Sequence, residues 1–200
     1  MPLTLAQTVG PTIEPVTTDE AKDHLRIDIP DDDSLIDVLI TAARADVEVW
    51  TRRQILTATW KLYLDAWPSG TTPIRLPKPP TASVASIKYQ DGDDVQQTLA
   101  GTVYQTDLIS EPARIALVDG QVWPSLKAGA INAIVIEYVA GWATVAAVPS
   151  QIKHAIKLIV GDLYEHREST IDIVPGLVSR VDNNLTIQRL LWMQRREFIG

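Results

Sequence analysis

Few residues in this sequence have the type and spacing that chemistry requires. Ser150 and Lys153 stand in the Ser-x-x-Lys arrangement of some acyl-enzymes. The companion motifs of those enzymes, Ser-Asp-Asn and Lys-Thr-Gly, are missing from the sequence. A helix start followed by a solvated lysine explains the pair without catalysis. The sequence also lacks a Walker lysine loop, a Gly-x-Gly-x-x-Gly fingerprint and a Gly-x-Ser-x-Gly elbow.

Metal binding is indicated just as weakly. His154 lies beside the apolar face of a predicted helix, without a second histidine or a carboxylate cluster at ligand spacing. The run Asp91-Gly92-Asp93-Asp94 lacks the closing glutamate of a calcium loop, so we interpret it as a hairpin turn. The run Asp31-Asp32-Asp33 could bind a cation, but acids also stabilise the N-terminus of a helix. We therefore expect no catalytic residue, no cofactor and no metal site, and a protein that is not an enzyme.

Composition narrows the class of protein further. The 200 residues include no cysteine, which excludes disulfides and thiolate chemistry, and 46% of them are hydrophobic, which is enough for a sizeable core. No apolar run approaches the ~20 residues that cross a bilayer, and the first residues do not resemble a secretory signal, so we expect synthesis in a cytoplasm and no membrane partner. The net charge of −7 argues against a nucleic-acid reader. Residues 1–50 hold 11 acidic and 3 basic side chains, a balance of −8, so the acidity is concentrated at one end.

The pattern begins with an arm and two helices. Residues 1–16, with three prolines and a glycine, predict an extended N-terminal arm. Thr17 and Glu20 form a capping box for a helix over 18–27, and Asp31 can cap a second helix that ends near Arg52 or Arg53. The apolar stripe predicted for that second helix consists of Leu35, Leu39, Ala42, Ala43, Val47 and Trp50. Its predicted polar face includes Asp37, Arg44, Asp46 and Glu48.

A run of short strands follows, and then helices return. Alternating apolar residues between Gly, Pro and Asp turns predict antiparallel strands over 56–65, 74–76, 84–90, 95–99, 103–107, 114–118 and 134–139. Residues 149–168 predict a helix with Ile152, Ile156, Ile159 and Leu163 on one face, followed by a loop over 169–183 and a last helix over 185–198. We expect an α+β fold in which helices 17–54 and 149–168 form a helical core, 55–148 is an inserted antiparallel β-domain, and 169–200 is a C-terminal loop and helix.

The sequence carries six tryptophans beside a single phenylalanine. Trp67 and Trp123 precede prolines in predicted turns, and Trp192 lies on a helix crowded with arginines. Tryptophan and arginine are together enriched where proteins dock on proteins. Trp192 therefore fits a core position and an interface position equally well.

The order of these elements resembles the head–tail connector proteins of long-tailed phages and gene transfer agents, over about residues 17–168. The residues that carry the resemblance are 20–28, 33–36, 42–44, 47–48, 51–53, 60–65, 74–77, 86–89, 138–142, 148–149, 152–153, 155–156 and 164–168. Any one of these short matches is weak, whereas the set in this order is fairly specific.

The resemblance implies a structural role in a particle. It implies an adaptor subunit that assembles with copies of itself, commonly twelve, into a ring between the portal protein and a stopper or other tail-side connector. Such a ring extends the channel through which DNA passes as non-specific cargo, and the protein would reside at the head–tail interface of a virion or phage-like particle. An acidic channel wall would not hold passing DNA. We place the ring or channel face at Asp31, Asp32, Asp33, Arg44, Arg52 and Arg53.

After Glu168 the resemblance fades. The C-terminal segment of similar proteins often reaches toward the portal, so we place a portal-docking surface at Leu191, Trp192, Arg195, Arg196 and Phe198. Two other readings stay open at this point. One is a monomeric module that binds carbohydrate or protein through the tryptophans of the β-domain. The other is a hydrolase that uses Ser150 and Lys153.

Overall fold

The structure, a computed structural model, describes residues 4–166 and 184–196. Its contacts divide the chain into two compact units. The β unit contains residues 4–11 and Thr57–Trp142, and the helical unit contains residues 12–56, 143–166 and 184–196. The predicted α+β class is confirmed, whereas the domain boundaries drawn from the sequence stay predictions.

The β unit consists of two antiparallel sheets. One is five-stranded in the order β1-β2-β8-β4-β5, and the other is three-stranded in the order β3-β7-β6. Each strand that the sequence predicts is present, with its ends shifted by at most about three residues. The strands are β1 (Thr4–Val9), β2 (Ala58–Leu64), β3 (Ile74–Arg75), β4 (Thr81–Gln90), β5 (Gln96–Thr98), β6 (Tyr104–Asp107), β7 (Arg114–Leu117) and β8 (Ile134–Ala140).

Strand β1 is the one that the sequence does not predict. The expected arm over 1–16 has little pattern, yet residues 4–9 pair antiparallel with β2, with Leu5 opposite Leu62. The register shifts between Gln7 and Val9, and the hydroxyl of Thr8 donates to the carbonyl of Thr59. The pairing depends on a partner more than fifty residues away, so local patterning does not reveal it.

The core of the β unit lies on the alternating inner side of the strands. Along β8 every second residue is buried, from Ile134 through Ile136 and Tyr138 to Ala140. These side chains pack with Leu62 and other buried residues of both sheets. The phenol of Tyr138 donates to the carbonyl of Pro77 at 2.9 Å, which satisfies its one buried polar atom.

The turn between β4 and β5 confirms the predicted hairpin. The carboxylate of Asp91 accepts hydrogen bonds from the backbone N–H of Asp93 and of Val95, each at 3.0 Å, and from the side chain of Gln97. These bonds lower the pKa of Asp91. The residue of this turn with a positive φ is Asp94, at 67°.

The helical unit contains α1 (Thr18–Leu25), α2 (Asp33–Thr51), a 3-10 turn (Val145–Ala147), α3 (Ser150–Glu165) and α4 (Leu185–Trp192). The predicted capping box is confirmed, because the Thr17 hydroxyl accepts from the N–H of Glu20 and the Glu20 carboxylate accepts from the N–H of Thr17. Along α3 the buried residues are Ile152, Ala155, Ile156, Ile159 and Val160. The predicted loop over 169–183 lies wholly outside the described residues.

Helix α2 differs from its prediction in phase. Its N-cap is Asp32 rather than Asp31, and no side chain caps it. It ends at Thr51, where Arg52 adopts a left-handed conformation with φ of 58°. The buried stripe contains Ile36 and Ile40 in place of the predicted Leu35 and Leu39, followed by Ala43, Val47 and Trp50.

Candidate assembly surfaces

The C-terminal helix is held by a cap and by two buried side chains. The side chain of Asn184 accepts from the N–H groups of Thr186 and Ile187, which fixes the start of α4. Ile187 and Leu191, one turn apart, are buried. Leu191 is therefore part of the core of the helical unit and is removed from the predicted docking surface, since a fully buried side chain offers nothing to a partner.

The outer side of α4 is apolar and basic. Trp192 is 69% exposed, and Leu185 and Met193 beside it are also exposed. Arg189 is exposed on the same side of the helix, and no acidic side chain occurs between residues 184 and 196. An exposed tryptophan next to arginines is the composition of an interface rather than of a solvated helix.

The residues after α4 are fastened to the end of α2. The guanidinium carbon of Arg195 lies 4.9 Å from the centre of the Trp50 ring, within reach of a cation–π interaction. The backbone N–H of Arg196 donates to the carbonyl of Thr51 at 3.0 Å. These contacts hold Trp192 in a defined place on the unit. Phe198, the last predicted docking residue, lies outside the described residues.

The acidic run at the start of α2 is partly occupied by structural contacts. The carboxylate of Asp33 binds the ammonium of Lys22 at 2.7 Å, and this hydrogen bond raises the pKa of Lys22. The carboxylate of Asp32 accepts a hydrogen bond from the hydroxyl of Tyr164, and Asp31 is exposed. Within residues 4–166 and 184–196, no group of three or more His, Cys, Asp or Glu side chains is arranged to hold a metal ion.

Two arginines assigned from the sequence to a channel face are buried instead. The guanidinium of Arg44 lies between the carboxylates of Glu14 and Glu48, at 2.7 and 3.1 Å. Burial works against the charge of Arg44, but the two carboxylates outweigh it and raise its pKa. Arg53 donates from Nε to the carbonyl of Gln194 at 2.6 Å.

The buried arginines correct the predicted channel face. Arg44 and Arg53 stabilise the helical unit from within, so they are not available to line a channel. Their partners, Glu14 and the backbone of Gln194, are 30 and 141 residues away in sequence, and no local pattern shows these pairings. Of the six residues proposed for that face, Asp31 and Arg52 are the exposed ones.

The two tryptophans of the β unit pack on each other. The rings of Trp67 and Trp123 are parallel within 6° with centroids 4.5 Å apart, and Trp67 also lies beside Tyr89. The indole N–H of Trp67 donates to the carbonyl of Pro124 at 2.9 Å. A sugar-binding platform needs an open indole face. Here each ring covers one face of the other, and both pack against the core of the β unit.

The other residues considered for catalysis or metal binding, Ser150 and His154, do not form a site with each other. Ser150 is exposed at the first position of α3, after the N-cap Pro149. The imidazoles of His24 and His154 lie edge to face at 6.2 Å. Burial, together with the nearby His154 and Lys157, lowers the pKa of His24. This small basic cluster lies where α1 contacts α3. The sequence does not predict it, because His24 and His154 are 130 residues apart.

A second surface was missed by the sequence prediction. On the side of α2 opposite its buried stripe, Val38, Ala42, Ala45 and Val49 recur at steps of four, three and four residues and are all exposed. We call these four residues the outer stripe. The sequence contained a sign of this second apolar side. The single stripe predicted for α2 included Ala42, which lies on the exposed side, together with Val47 and Trp50, which lie on the buried side.

Part of the sequence matches a known protein family, and the fold of the chain matches solved structures. Residues 16–107, from the start of α1 to the end of β6, match the family described as Phage gp6-like head-tail connector protein. The family resemblance is confirmed. No curated protein is similar enough in sequence to match the chain, and none of the described helices is long and apolar enough to span a bilayer.

Solved structures share the fold of this connector-like chain over nearly its whole length. One, described as the virion of a native gene transfer agent particle, is 22% identical and covers 98% of both chains with a TM-score of 0.76. A second, the neck of an empty particle computed with C6 symmetry, is 23% identical, covers 100% of this chain and 99% of its own, and has a TM-score of 0.72. A third, the neck of a native particle computed with C12 symmetry, has the same identity and coverage and a TM-score of 0.68.

Proposed function

We propose that this chain is the structural adaptor subunit of a phage-like particle, forming a ring between the portal and the tail and extending the DNA exit channel. The observation that carries the proposal is the connector-family match over residues 16–107. The fold supports it, because both units have counterparts in chains from the neck of gene transfer agent particles. The role is mechanical, and the protein carries out no reaction.

The ring is proposed to contain twelve copies. The C12 symmetry applied to one similar neck structure supports that number. A closed ring repeats one heterologous interface, in which two different surfaces of each subunit meet. DNA would pass through the ring as unread cargo, in keeping with a net charge of −7.

The outer side of α4 is the surface that we assign to the portal. Trp192 supplies a large, exposed and well-anchored apolar group, with Arg195 and Arg196 beside it. An aromatic anchor surrounded by arginines is the usual composition of an energetic hot spot. The opposite end of the ring is then left for a stopper or other tail-side connector.

Mass in solution tests the adaptor role. We expect light scattering to show a ring-sized species, about twelve subunits, either for the protein alone or after addition of its cognate portal. A protein that stays monomeric and does not bind the portal would contradict the proposal.

A point substitution tests the portal contact. Deleting α4 would also remove the buried Ile187 and Leu191, so Trp192→Ser is the cleaner change. Its expected effect is a loss of portal affinity of at least tenfold, as for a hot-spot residue. Ile109→Ser, at an exposed apolar position in the β unit, is the matched control and should leave portal binding unchanged. Equal portal affinity for the two variants would refute the contact.

A further inference from the structure

The larger sheet of the β unit has two open edges. One is the outer side of β1, because this strand is the last of the sheet and pairs with β2 on its inner side. The other is the outer side of β4 over residues 81–86, because β5 pairs with β4 only at residues 88–90. Among the described residues, no strand pairs with either edge, and Ala82, Ser83 and Ala85 are exposed. Such edges carry unpaired N–H and C=O groups that can bind another strand.

Both open edges lack the features that usually protect the edge of a sheet. Residues 4–9 and residues 81–86 are each six residues long, and neither segment contains a charged residue or a proline. Natural sheets protect their edges with charges, prolines or very short strands. The smaller sheet has edges of that protected kind, because β3 is two residues long and includes Arg75, and β6 includes Asp107. The two edges of the larger sheet are therefore suited to pairing.

The strand directions of the two edges are complementary. Strands β1, β2, β8 and β4 pair antiparallel in that order, so β1 and β4 run in opposite directions. A second copy, related by rotation about an axis along the strands, would place its β1 beside residues 81–86, antiparallel to β4 and in line with β5. Leu5 of β1 and Val84 of β4 both pack against the core of the β unit. The apolar faces of the joined sheets would therefore lie on the same side.

We infer that the outer side of β1 pairs with residues 81–86 of β4 in the next copy of this chain, so that the larger sheets are joined around the ring. This inference rests on the proposed ring and names its interface. Because the two edges lie at opposite ends of one sheet, the contact is heterologous and repeats until the ring closes. Two register shifts, after Thr81 and after Val84, bend β4. Bulges discourage pairing between flat edges, whereas a sheet that continues around a ring has to curve.

Engineered cysteines test the pairing, since the chain has none of its own. Gln7→Cys on β1 is combined in turn with Ala82→Cys, Ser83→Cys or Ala85→Cys on β4. Within one copy, β1 and β4 are three strand spacings apart, roughly 14 Å, which exceeds the ~7 Å between Cα atoms that a disulfide can span. After oxidation of the assembled ring, at least one double variant should give a ladder of covalent oligomers in denaturing electrophoresis. Each single variant is a control and should give no ladder.

A charge placed on the edge is a second test. Ala85→Lys introduces the kind of residue that protects natural edges, so it should leave the subunits unassembled under conditions in which the wild type forms its ring. Ala128→Lys, at an exposed alanine in a loop of the same unit, is the matched control and should assemble like the wild type. In the wild type, the amides of residues 4–9 should exchange with solvent at least about tenfold more slowly in the ring than in the free subunit.

The outcomes separate this inference from the proposed function. A wild-type protein that forms no ring, with or without portal, overturns both. A ring that gives no ladder in any of the three double variants, or that persists in Ala85→Lys, overturns the edge pairing and leaves the adaptor role intact. Unchanged amide exchange of residues 4–9 on assembly has the same consequence and needs no variant. Circular dichroism of each variant establishes that it is folded before its mass is interpreted.

Discussion

The indole rings of Trp67 and Trp123 stack face to face, with centroids 4.5 Å apart. Their shared surface joins the turn after β2 to the segment before β8, and so continues the contact between these strands beyond the last paired residues, Leu64 and Ile134. Stacked aromatic pairs contribute about 0.5–1.5 kcal/mol beyond the area they bury. The tryptophans that could have marked a ligand site therefore serve the stability of the β unit.

Replacing one ring of this stack should destabilise the fold. For Trp123→Ala we expect a loss of about 2–4 kcal/mol in the free energy of unfolding, because a half-buried ring and its stacking partner are both affected. Urea denaturation followed by fluorescence measures it. Trp192→Ala, which removes an exposed ring, is the control and should cost less than about 1 kcal/mol. Equal losses for the two variants would show that the stack contributes little.

Removing the buried guanidinium of Arg44 should destabilise the helical unit. Arg44→Met keeps the volume but leaves the carboxylates of Glu14 and Glu48 without their shared cation. We expect a cost of about 3 kcal/mol in chemical denaturation. Arg52→Met, at an exposed position, should cost no more than about 0.5 kcal/mol. A stable Arg44→Met variant would mean that the two carboxylates find other partners.

Acidification should weaken the contact between α1 and α3. Because the pKa of His24 is lowered in the folded state, the unfolded chain binds the proton more readily, and stability falls as the pH drops below about 6.5. His154 and Lys157 face His24 and add repulsion once it is charged. Between about pH 7.5 and about pH 5.5, the melting temperature of the wild type should fall further than that of His24→Gln. Parallel falls in the two proteins would argue against this linkage.

Tyr138 should make stability sensitive to alkali. Tyr138→Phe removes the hydrogen bond to Pro77 and leaves its carbonyl unpaired, which should cost about 1–2 kcal/mol near neutral pH. Burial raises the pKa of Tyr138 in the folded state, so its contribution is complete below about pH 10 and is lost as the unfolded chain ionises above it. The difference between wild type and variant should therefore shrink from about pH 9 to about pH 11. A constant difference would mean that ionisation of Tyr138 does not contribute.

The strands and helices could be predicted well because the features that define them involve residues close together in the sequence. The alternation along β8 and the capping box at Thr17 each depend on residues a few positions apart. Helix α2 was placed correctly, but its buried side was not, since two apolar stripes on one helix give periodicity alone no means of choosing between them. The choice is made by tertiary packing, since α1, α3 and α4 contact α2 and leave Ile36 and Ile40 on its buried side.

The candidate surfaces were harder to predict because they depend on long-range pairing. Arg44 resembles an exposed residue of a polar helix face until Glu14, from the segment before α1, is brought against it. Leu191 and Trp192 are neighbours in sequence, yet one is buried and the other exposed, a difference set by how α4 lies on the unit. Charge and residue type identified α4 as an interface candidate, and only the packing separates its outer side from its inner one.

Strand β1 also protects the edge of the larger sheet. Without it, the seven residues of β2, from Ala58 to Leu64, would present unpaired N–H and C=O groups beside an apolar face. An open edge of that kind recruits other extended chains and leads to aggregation. A bulky domain fused directly before Thr4 should hinder the pairing of β1 with β2. The expected result is insoluble protein, with the helix content unchanged.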